Sequence, residues 1–469
     1  MNTLRPGIGI GIDFGTSNST AAWFDGHTLH SVRLEHASSV LPTAIHLDRE
    51  FAALTGAEAV QQYVNENRGR RVELVAEVIG EAASGIGEID NEISGELETQ
   101  RRTLYGPLTD RGQPGRLFLG LKRLLGDIEH ERLPVFGRHF RLVALLTPIL
   151  LRIRQTLQRE LRGPLPAVHL GRPVQFEGRD AQASTLAVAR LAEAAGHAGL
   201  VDHQFYPEPI AATLSWLWRS QPGKPGVALA VDFGGGTLDL ALLRHDGLRF
   251  TVLGTAGAAM GGDKIDQLIY RTLLFPALGK GERWQRVVDG YSVDTLFPFE
   301  EFETGLLNWP ITHTLNQNRT RTMVIDRMAK ADAASEKFQR LLDLISYNYG
   351  YTCFQAIRTA KAALSDVTDT FIDIPEINLR LPFSRSQFEA LLLEPLAILR
   401  QLIDQVLAQA GLQAQDVDMV VRTGGTSQIV AVRQLLEELF EGRVVAHDPF
   451  TSVAAGLAIA SHHGWRYES

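Results

Sequence analysis

Cysteine is almost absent from this chain, because Cys353 is the only one among 469 residues. A single cysteine excludes an intrachain disulfide and is typical of proteins in a reducing compartment. We therefore expect a cytoplasmic protein in which Cys353 is a small buried hydrophobe. Basic residues are also in the minority, and the formal net charge of −8 argues against a general nucleic-acid binder, whose surface should be basic.

Long apolar runs are missing as well. The N-terminal run from Ile8 to Phe14 is interrupted by two glycines and by Asp13, which is unlike a signal peptide, and no stretch reaches transmembrane length. We expect no membrane partner. The chain also lacks a Walker A sequence and the His-Arg-Asp loop of protein kinases, and His462-His463 lacks the ligand spacing of a zinc site.

One short motif is present twice. The first copy reads G-I-D-F-G-T-S-N-S from Gly11 to Ser19, and the second reads V-D-F-G-G-G-T-L-D from Val231 to Asp239. Asp25-Gly26 and Asp246-Gly247 follow at nearly the same offset, and Asp-Gly is a strong signal for a hairpin turn. The pattern predicts two similar halves, each built as strand, loop, strand, turn and strand.

The residue types in the two loops favour binding of a polyphosphate. Glycine lets backbone N–H groups approach phosphate oxygens, and hydroxyl side chains add further donors. The carboxylates of Asp13, Asp232 and Asp239 would repel bare phosphate, so their position beside the loops indicates an intervening hydrated cation, most simply Mg²⁺. The predicted phosphate-binding residues are Gly15, Thr16, Ser17, Gly234, Gly235, Gly236 and Thr237.

Periodicity predicts the elements around these loops. An amphipathic helix over 143–162 carries four arginines that we expect to be solvated: Arg152, Arg154, Arg159 and Arg162. A strand at 168–170, a helix over 181–195 ending at Gly196, and a helix from Pro209 to Trp218 follow. The segment Gln221–Gly226 reads as a linker, whereas 81–98 and 284–328 show little pattern.

The last third of the chain is regular again. Apolar residues from Phe388 to Leu402 predict a helix, and Met419–Val421 predicts a strand. That strand leads into T-G-G-T-S-Q at Thr423–Gln428, followed by a predicted helix from Ile429 to Phe440. A buried strand followed by Gly-Gly and a helix is a ligand-binding corner of an α/β sheet, here expected to close around a nucleoside.

Together these motifs resemble the actin-like ATPase superfamily, and within it the nucleotide-binding domain of the seventy-kilodalton heat-shock (DnaK-like) chaperones. The order and spacing of the three loops match, and further family-like pieces are G-L-K-R-L-L-G around Lys122, E-P-I-A-A at 208–212, G-G-D at 261–263 and A-K-A-A-L-S at 360–365. The resemblance implies an α/β fold with two lobes, in which duplicated ribonuclease H-like domains with insertions surround a nucleotide cleft.

The resemblance also implies roles for single residues. Lys122 would reach the γ-phosphate or the attacking water as a point charge, and Thr237 would hydrogen-bond the γ-phosphate. Glu208 and Asp232 would orient Mg²⁺-bound waters, with Asp13 and Asp239 near the same cation. The alternative for Lys122 is a surface helix lysine, and Glu208 could equally cap the helix that follows it.

Contacts to ATP or ADP follow in the same way. The implied nucleotide-binding residues are Gly15, Thr16, Ser17, Asn18, Gly234, Gly235, Gly236, Gly261, Gly262, Lys361, Ser365, Gly424, Gly425, Thr426 and Gln428. For Lys361 and Ser365 an exposed helix face is the alternative. Two positions depart from the family: Gln428 stands where an adenine-stacking arginine is usual, and Arg358 stands where a glutamate is usual.

The predicted domains are lobe I at 1–226 with an insertion at about 50–115, lobe II at 227–445 with an insertion at about 283–340, and a C-terminal helix within 446–469 that returns to lobe I. No peptide-binding domain is expected. The leading hypothesis is a slow Mg²⁺-dependent ATPase that acts as a chaperone-like conformational switch with a protein client or co-chaperone. The alternatives are a non-hydrolysing nucleotide sensor or scaffold, and a small-molecule kinase of the same superfamily.

Overall fold

The fold is described from a computed structural model. The described residues are 7–85, 99–173, 181–220, 224–246, 249–288, 291–448 and 450–467. Parts of three sequence predictions lie outside these residues: 221–223 of the linker, Gly247 of the second Asp-Gly turn, and 86–98 of the patternless acidic stretch.

The described residues form strands and α-helices, together with 3₁₀ segments and a π-helical turn at Tyr270–Leu274. The strands are β1 (Gly9–Phe14), β2 (Asn18–Phe24), β3 (Leu29–Ser31), β4 (Leu41–Pro42), β5 (Ala44–Asp48), β6 (Ala53–Thr55), β7 (Leu74–Gly85), β8 (Thr99–Asp110), β9 (Gly115–Leu119), β10 (Arg132–Val135), β11 (Arg138–Arg141), β12 (Val168–Arg172), β13 (His203–Pro207), β14 (Gly226–Phe233), β15 (Leu238–Asp246), β16 (Arg249–Ala258), β17 (Arg283–Val288), β18 (Tyr291–Leu296), β19 (Asp369–Ile374), β20 (Leu379–Ser384), β21 (Met419–Thr423) and β22 (Val444–Ala446). The α-helices are α1 (Gly56–Asn67), α2 (Leu142–Leu161), α3 (Ala181–His197), α4 (Glu208–Ser220), α5 (Gly262–Ile269), α6 (Phe275–Ala277), α7 (Glu300–Leu307), α8 (Asn318–Met328), α9 (Ser335–Tyr347), α10 (Gly350–Ala363), α11 (Arg385–Leu391), α12 (Leu393–Ala410), α13 (Val430–Leu439) and α14 (Ser452–His462).

Two sheets repeat one topology. The first has the strand order β13-β12-β1-β2-β3 with β4 added to β2, and the second has the order β16-β15-β14-β21-β22. In each sheet an antiparallel meander leads into two parallel strands, because β1 pairs parallel to β12 as β14 pairs parallel to β21. The duplication predicted from the repeated motif is therefore confirmed at the level of sheet topology.

The chain divides into two compact units. The first comprises 1–65, 115–277 and 352–469 and contains both of these sheets, and the second comprises 66–114 and 278–351. The second unit contains the hairpins β7–β8 and β17–β18 and helices α7, α8 and α9. A polar contact joins its two segments, since Asn316 Nδ2 donates to the carbonyl of Arg70 at 2.7 Å. The same amide donates to the Ser346 carbonyl at 3.1 Å within the second segment.

Helix α14 occupies the core of the first unit. Every residue from Ser452 to Ala460 is buried, as expected for a helix packed on all sides. It fits there because its neighbours are small: a Cβ on Gly11 would lie 2.5 Å from the backbone nitrogen of Ala458. Its hydrophobic partners include Phe24 of the first sheet and Leu243 of the second.

Most of the elements predicted from periodicity are confirmed. Helix α2, strands β12 and β21 and helices α4 and α13 lie within two residues of the predicted positions. Helix α3 passes through Gly196 and ends at His197, and the left-handed residue, Gly199 with φ of 80°, follows two positions later. The predicted helix over 388–402 is broken at Leu392 into α11 and α12.

The expectation that all four arginines of α2 are simply solvated is wrong for Arg152. Its guanidinium donates to Glu35 Oε2 at 2.9 Å and to the Thr55 carbonyl at 2.6 Å. The hydrophobic periodicity of α2 alone could not reveal these partners, because they lie about a hundred residues earlier in the chain. Among the described helices, none combines the length and the apolar character needed to cross a membrane.

Candidate functional site

The two repeated motifs form equivalent hairpins in the two sheets. Pairing of β1 with β2 places Asp13 opposite Thr20, and pairing of β14 with β15 places Asp232 opposite Asp239. Phe14 and Phe233 are fully buried at the ends of the first strands, so each loop starts from a fixed point in the core. The loops that follow come close together, because a Cβ on Gly235 would lie 3.0 Å from Ser17 Oγ.

The first loop, Gly15 to Asn18, is held by β4 and by the residue that follows it. The Ser17 carbonyl accepts a hydrogen bond of 2.9 Å from the Thr43 amide, and Asn18 pairs with Pro42 of β4. Gly15 lies so close to Asn18 that a side chain there would collide with the Asn18 carbonyl. The structure thus brings Gly15, Thr16, Ser17 and Asn18 into one tight turn.

The second loop, Gly234 to Thr237, is fixed on its carbonyl side. The Gly234 carbonyl accepts from the Gly262 amide at 3.0 Å and from Thr426 Oγ1 at 2.7 Å, and the Gly235 carbonyl accepts from the Asp263 amide at 2.8 Å. In a planar trans peptide the N–H points opposite to the carbonyl. The amides of Gly235 and Gly236 therefore point away from α5 and from the 423–428 loop, as a phosphate-binding turn requires.

Glycine is required where two other segments approach this loop. A Cβ on Gly261 would lie 2.5 Å from the carbonyl carbon of Gly235, and Gly424 has φ of 79° with its Cβ position 2.7 Å from Asp232 Oδ1. Larger residues at these two points would push α5 and the 423–428 loop off the second phosphate loop. The structure therefore places Gly261, Gly262, Gly424 and Thr426 directly around the second motif.

A buried ion pair forms the charged centre of the site. Lys122 lies in the 3₁₀ turn Leu121–Leu124, and its Nζ donates to Glu208 Oε1 at 2.7 Å. The two side chains are only 7% and 14% exposed. The alternative of a surface helix lysine is therefore wrong, and Glu208 is the first residue of α4 rather than its cap, with its carboxylate directed at Lys122.

Three more carboxyl groups interact with this pair. Burial, followed by the negative charge of Glu208, raises the pKa of Asp13 well above its usual value. Burial and Glu208 also raise the pKa of Asp232 to about 6, although a hydrogen bond from Thr423 and the charge of Lys122 act against the shift. Burial raises the pKa of Asp239 to about 7, against a hydrogen bond from Thr237.

The pKa of Lys122 is raised as well, which for an ammonium group favours the charged form. Burial disfavours its charge, but Glu208, Asp13 and Asp239 outweigh burial and raise the pKa of its ammonium group. One lysine thus faces four carboxyl groups that repel one another, an arrangement whose electrostatics favour an added cation. In the described ranges, no three His, Cys, Asp or Glu side chains converge closely enough to hold a metal ion directly. The donor set suits Mg²⁺ held through its water molecules.

The residues that were expected to contact the nucleoside lie in different surroundings from one another. Lys361 Nζ binds the carboxylate of Asp266, a residue only 1% exposed, and contacts the Gly262 carbonyl at 3.4 Å. Ser365 lies with Lys361, Phe388 and Ile429 around a shallow surface depression. Gln428 ends the 3₁₀ turn Gly425–Gln428 and is half-buried, and Gly425 is exposed beside it.

Arg358, which replaces the family's glutamate, is bound to acidic residues of α5. Its Nε donates to Asp266 Oδ2 at 2.9 Å and its Nη2 to Asp263 Oδ1 at 3.1 Å. The cations of α10 are thus matched by Asp263 and Asp266, a pair that sequence reasoning missed. The available signal was spacing: Asp263 and Asp266 are three residues apart on one helix, as Arg358 and Lys361 are on another.

Two more residues near the loops were not predicted. Arg123, next to Lys122, lies 3.8 Å from Asp263 Oδ2, and a Cβ on Gly236 would collide with its guanidinium. Phe450 lies beside Gly425 with half of its side chain exposed. The only sequence signal for Phe450 was its place after the turn residue Asp448.

Comparison with known proteins gives the family. A family model described as Hsp70 protein matches residues 132–279 and 352–462, together more than half of the chain. This chain belongs to the Hsp70 family. The expected resemblance and the actin-like ATPase fold are confirmed by this membership and by the duplicated sheet topology. The gap between the two matched segments, 280–351, nearly coincides with the second segment of the second unit.

Individual Hsp70 relatives are distant but cover nearly all of this chain. A chaperone protein HscA homolog from Shewanella woodyi is 23% identical over 455 residues, 96% of this chain and 58% of its own length. The mitochondrial heat shock 70 kDa protein of Solanum tuberosum is 22% identical over 96% of this chain and 54% of its own length. The chaperone protein dnaK of Cyanidioschyzon merolae is 24% identical over 96% and 61%. The chain thus spans little more than half the length of these relatives.

Proposed function

We propose that this Hsp70-family chain binds ATP with Mg²⁺, hydrolyses it slowly, and uses the nucleotide state as a conformational switch. The observation that supports this proposal is the Lys122–Glu208 pair, buried among the raised-pKa carboxyl groups of Asp13, Asp232 and Asp239. These carboxyl groups lie on the strands that flank both phosphate loops. Structural ion pairs alone do not require three further carboxylates with disfavoured charge.

In the proposed mechanism the backbone amides of Gly235 and Gly236, together with the first loop, hold the β- and γ-phosphates. Thr237 donates a hydrogen bond to the γ-phosphate. Lys122 supplies the positive charge that stabilises negative charge on the transferred phosphoryl group and orients the attacking water. Bound Mg²⁺ would neutralise phosphate charge, with Asp13, Glu208, Asp232 and Asp239 positioned to accept hydrogen bonds from its waters.

The test is single-turnover hydrolysis of ATP with Mg²⁺ by the wild type and by Lys122→Ala, with ATP affinity measured in the same samples. We expect slow hydrolysis in the wild type and a loss of about 100-fold or more in the variant, with a smaller effect on affinity. Lys224→Ala is the control, because Lys224 is exposed just before β14. Circular dichroism of each variant separates loss of chemistry from loss of fold.

Each outcome has a distinct meaning. If the Lys122→Ala variant still hydrolyses ATP at the wild-type rate, the proposed assignment of the catalytic centre is wrong. Binding without hydrolysis by the wild type would favour a nucleotide sensor or scaffold, and transfer of phosphate to a sugar or polyol would favour a kinase.

We also propose a protein client or co-chaperone as the partner, because the relatives are named as chaperones. Conformational switching should appear as different hydrogen-exchange protection of α5 and the 423–428 loop with ATP and with ADP. Identical exchange in both states would contradict the switch while leaving ATP binding intact.

A further inference from the structure

Phe450 is an exposed aromatic side chain with a fixed backbone. Its side chain is 49% exposed, yet its amide donates to Asp448 Oδ1 at 2.9 Å. The same aspartate also accepts from the Thr451 amide at 3.0 Å and from Thr451 Oγ1 at 2.6 Å. A large apolar ring is thus carried by a hydrogen-bonded backbone and presented at the surface, outside any hydrophobic core.

Two contacts, one of the backbone and one of the ring, place Phe450 beside the segments that are expected to bind the nucleotide. The Phe450 carbonyl accepts a hydrogen bond of 3.3 Å from Thr20 Oγ1, and Thr20 is paired with Asp13 across the first hairpin. On the other side the ring lies against Gly425, where a Cβ would be 3.4 Å from its Cε1 and Cζ atoms. The next residue, Thr426, donates to Gly234 of the second phosphate loop.

Gln428 is the residue of the neighbouring loop that bears on the role of the Phe450 ring. In the 423–428 loop, which the sequence predicts to close around a nucleoside, Gln428 offers neither a cation nor a broad planar face comparable to guanidinium. Phe450 approaches the same loop three residues earlier, at Gly425. We propose that the ring of Phe450 is the face on which the nucleobase stacks, an inference that rests on the proposed binding of ATP.

The physical basis is the overlap of two planar apolar surfaces. Stacking of a base on an aromatic ring stabilises a complex without hydrogen-bond readout, and stripping water from an exposed ring adds to the gain. Because the Asp448 turn and Thr20 already fix the backbone of Phe450, stacking on the ring costs no further backbone entropy. The phosphate loops would bind the triphosphate, and Phe450 would contribute only to ligands that carry a base.

The test compares ATP with inorganic tripolyphosphate, each with Mg²⁺, by calorimetry on the full chain. We expect Phe450→Ala to weaken ATP binding by about tenfold and to leave tripolyphosphate affinity unchanged. Phe450→Tyr should retain ATP affinity, and Phe450→Leu, which keeps an apolar side chain without a ring, should resemble Phe450→Ala. Phe371→Ala is the matched control, because Phe371 is 48% exposed on β19.

The result separates this inference from the proposed function. If the wild type binds ATP and Phe450→Ala binds it equally well, the stacking role is overturned while ATP binding stands. An equal loss of affinity for ATP and for tripolyphosphate would also overturn the stacking role, since such a loss would indicate that Phe450 has a structural role. If the wild type binds neither ligand, the proposed function fails, and the inference fails with it.

Discussion

Several polar side chains in this protein are buried only because each has a specific partner. The Lys122–Glu208 pair joins positions 86 residues apart, and Arg327, 1% exposed, is paired with Asp332 by two hydrogen bonds of 3.0 and 3.1 Å. Removing one member of the Lys122–Glu208 pair leaves an uncompensated charge in a site of low dielectric, which costs about 3–5 kcal/mol. Variants of Lys122 and Glu208 must therefore be checked for stability as well as activity.

His447 gives a prediction of pH dependence at the scale of one residue. Its Nε2 is 2.9 Å from Ser215 Oγ, and burial, followed by the charge of Arg219, lowers its pKa to about 4 against the opposing effect of Asp448. A lowered histidine pKa means that the folded state binds fewer protons, so stability is lost as the pH falls from 6.5 towards 4.

We therefore expect the free energy of unfolding of the wild type, measured relative to His447→Asn, to fall by about 2 kcal/mol between pH 7 and pH 4. Urea unfolding of both proteins between pH 7 and pH 4 measures this difference in free energy. The difference between the two proteins is needed because Asp232 and Asp239, with raised pKa values, act in the opposite direction. His36→Asn, at an exposed position, is the control, and a constant difference for His447→Asn would contradict the prediction.

At the scale of elements, the close packing of α14 holds the first unit together. This helix consists of S-V-A-A-G-L-A-I-A-S-H, in which small residues let the backbones of β1 and α4 approach. A Cβ on Gly456 would overlap the Ala211 carbonyl of α4, and a backbone atom cannot move aside as a flexible side chain can. Gly456 is therefore required by packing, although a glycine inside an isolated helix is unfavourable.

We expect Gly456→Ala to lower the free energy of unfolding by about 3 kcal/mol, because overpacking must shift α4 or α14. Gly196→Ala is the matched control: Gly196 also lies within a helix, but a Cβ there would have no neighbour within 4 Å. That control should raise stability by about 0.5–1 kcal/mol through helix propensity. Chemical denaturation of both variants checks the prediction, and equal effects would refute the packing argument.

At the scale of the whole molecule, the two units have separate cores and separate expected roles. All the candidate nucleotide residues belong to the first unit. The second has its own aromatic cluster, in which the ring of Phe297 packs 4.7 Å from that of Phe338 and 5.5 Å from that of Phe302. Arg327 lies 4.8 Å over the Phe338 ring.

Phe338→Ala should therefore destabilise the second unit by about 4 kcal/mol and change ATP affinity by less than about threefold. Phe14→Ala removes an equally buried ring beside the first phosphate loop and should abolish ATP binding. Hydrogen exchange should show lost protection in α8 and α9 for the first variant and in β1 and β2 for the second. Loss of ATP binding in Phe338→Ala would show that the two units are energetically coupled.

Much of the candidate site was predictable because its determinants are local. Asp-Phe-Gly before small hydroxyl residues predicts a strand and a tight turn by itself, and both hairpins are confirmed. The partners of Arg152, Arg358 and Lys361 were not predictable, since each ion pair joins distant segments. The stretch 284–328 also escaped prediction, because α8, for example, buries only Val324 and Arg327 rather than a continuous apolar face.

The sequence by itself determined the duplicated hairpins, the glycine-rich loops and most helix positions, because turn chemistry and hydrophobic periodicity act over a few residues. The order and spacing of its motifs also carried the resemblance to the Hsp70 family. Only the tertiary structure decided that Lys122 is buried against Glu208, that Asp232 and Asp239 have raised pKa values, and that Phe450 lies beside Gly425. Burial and charge interaction depend on which distant segments meet, and that is settled by the packing of the whole first unit rather than by neighbours in the chain.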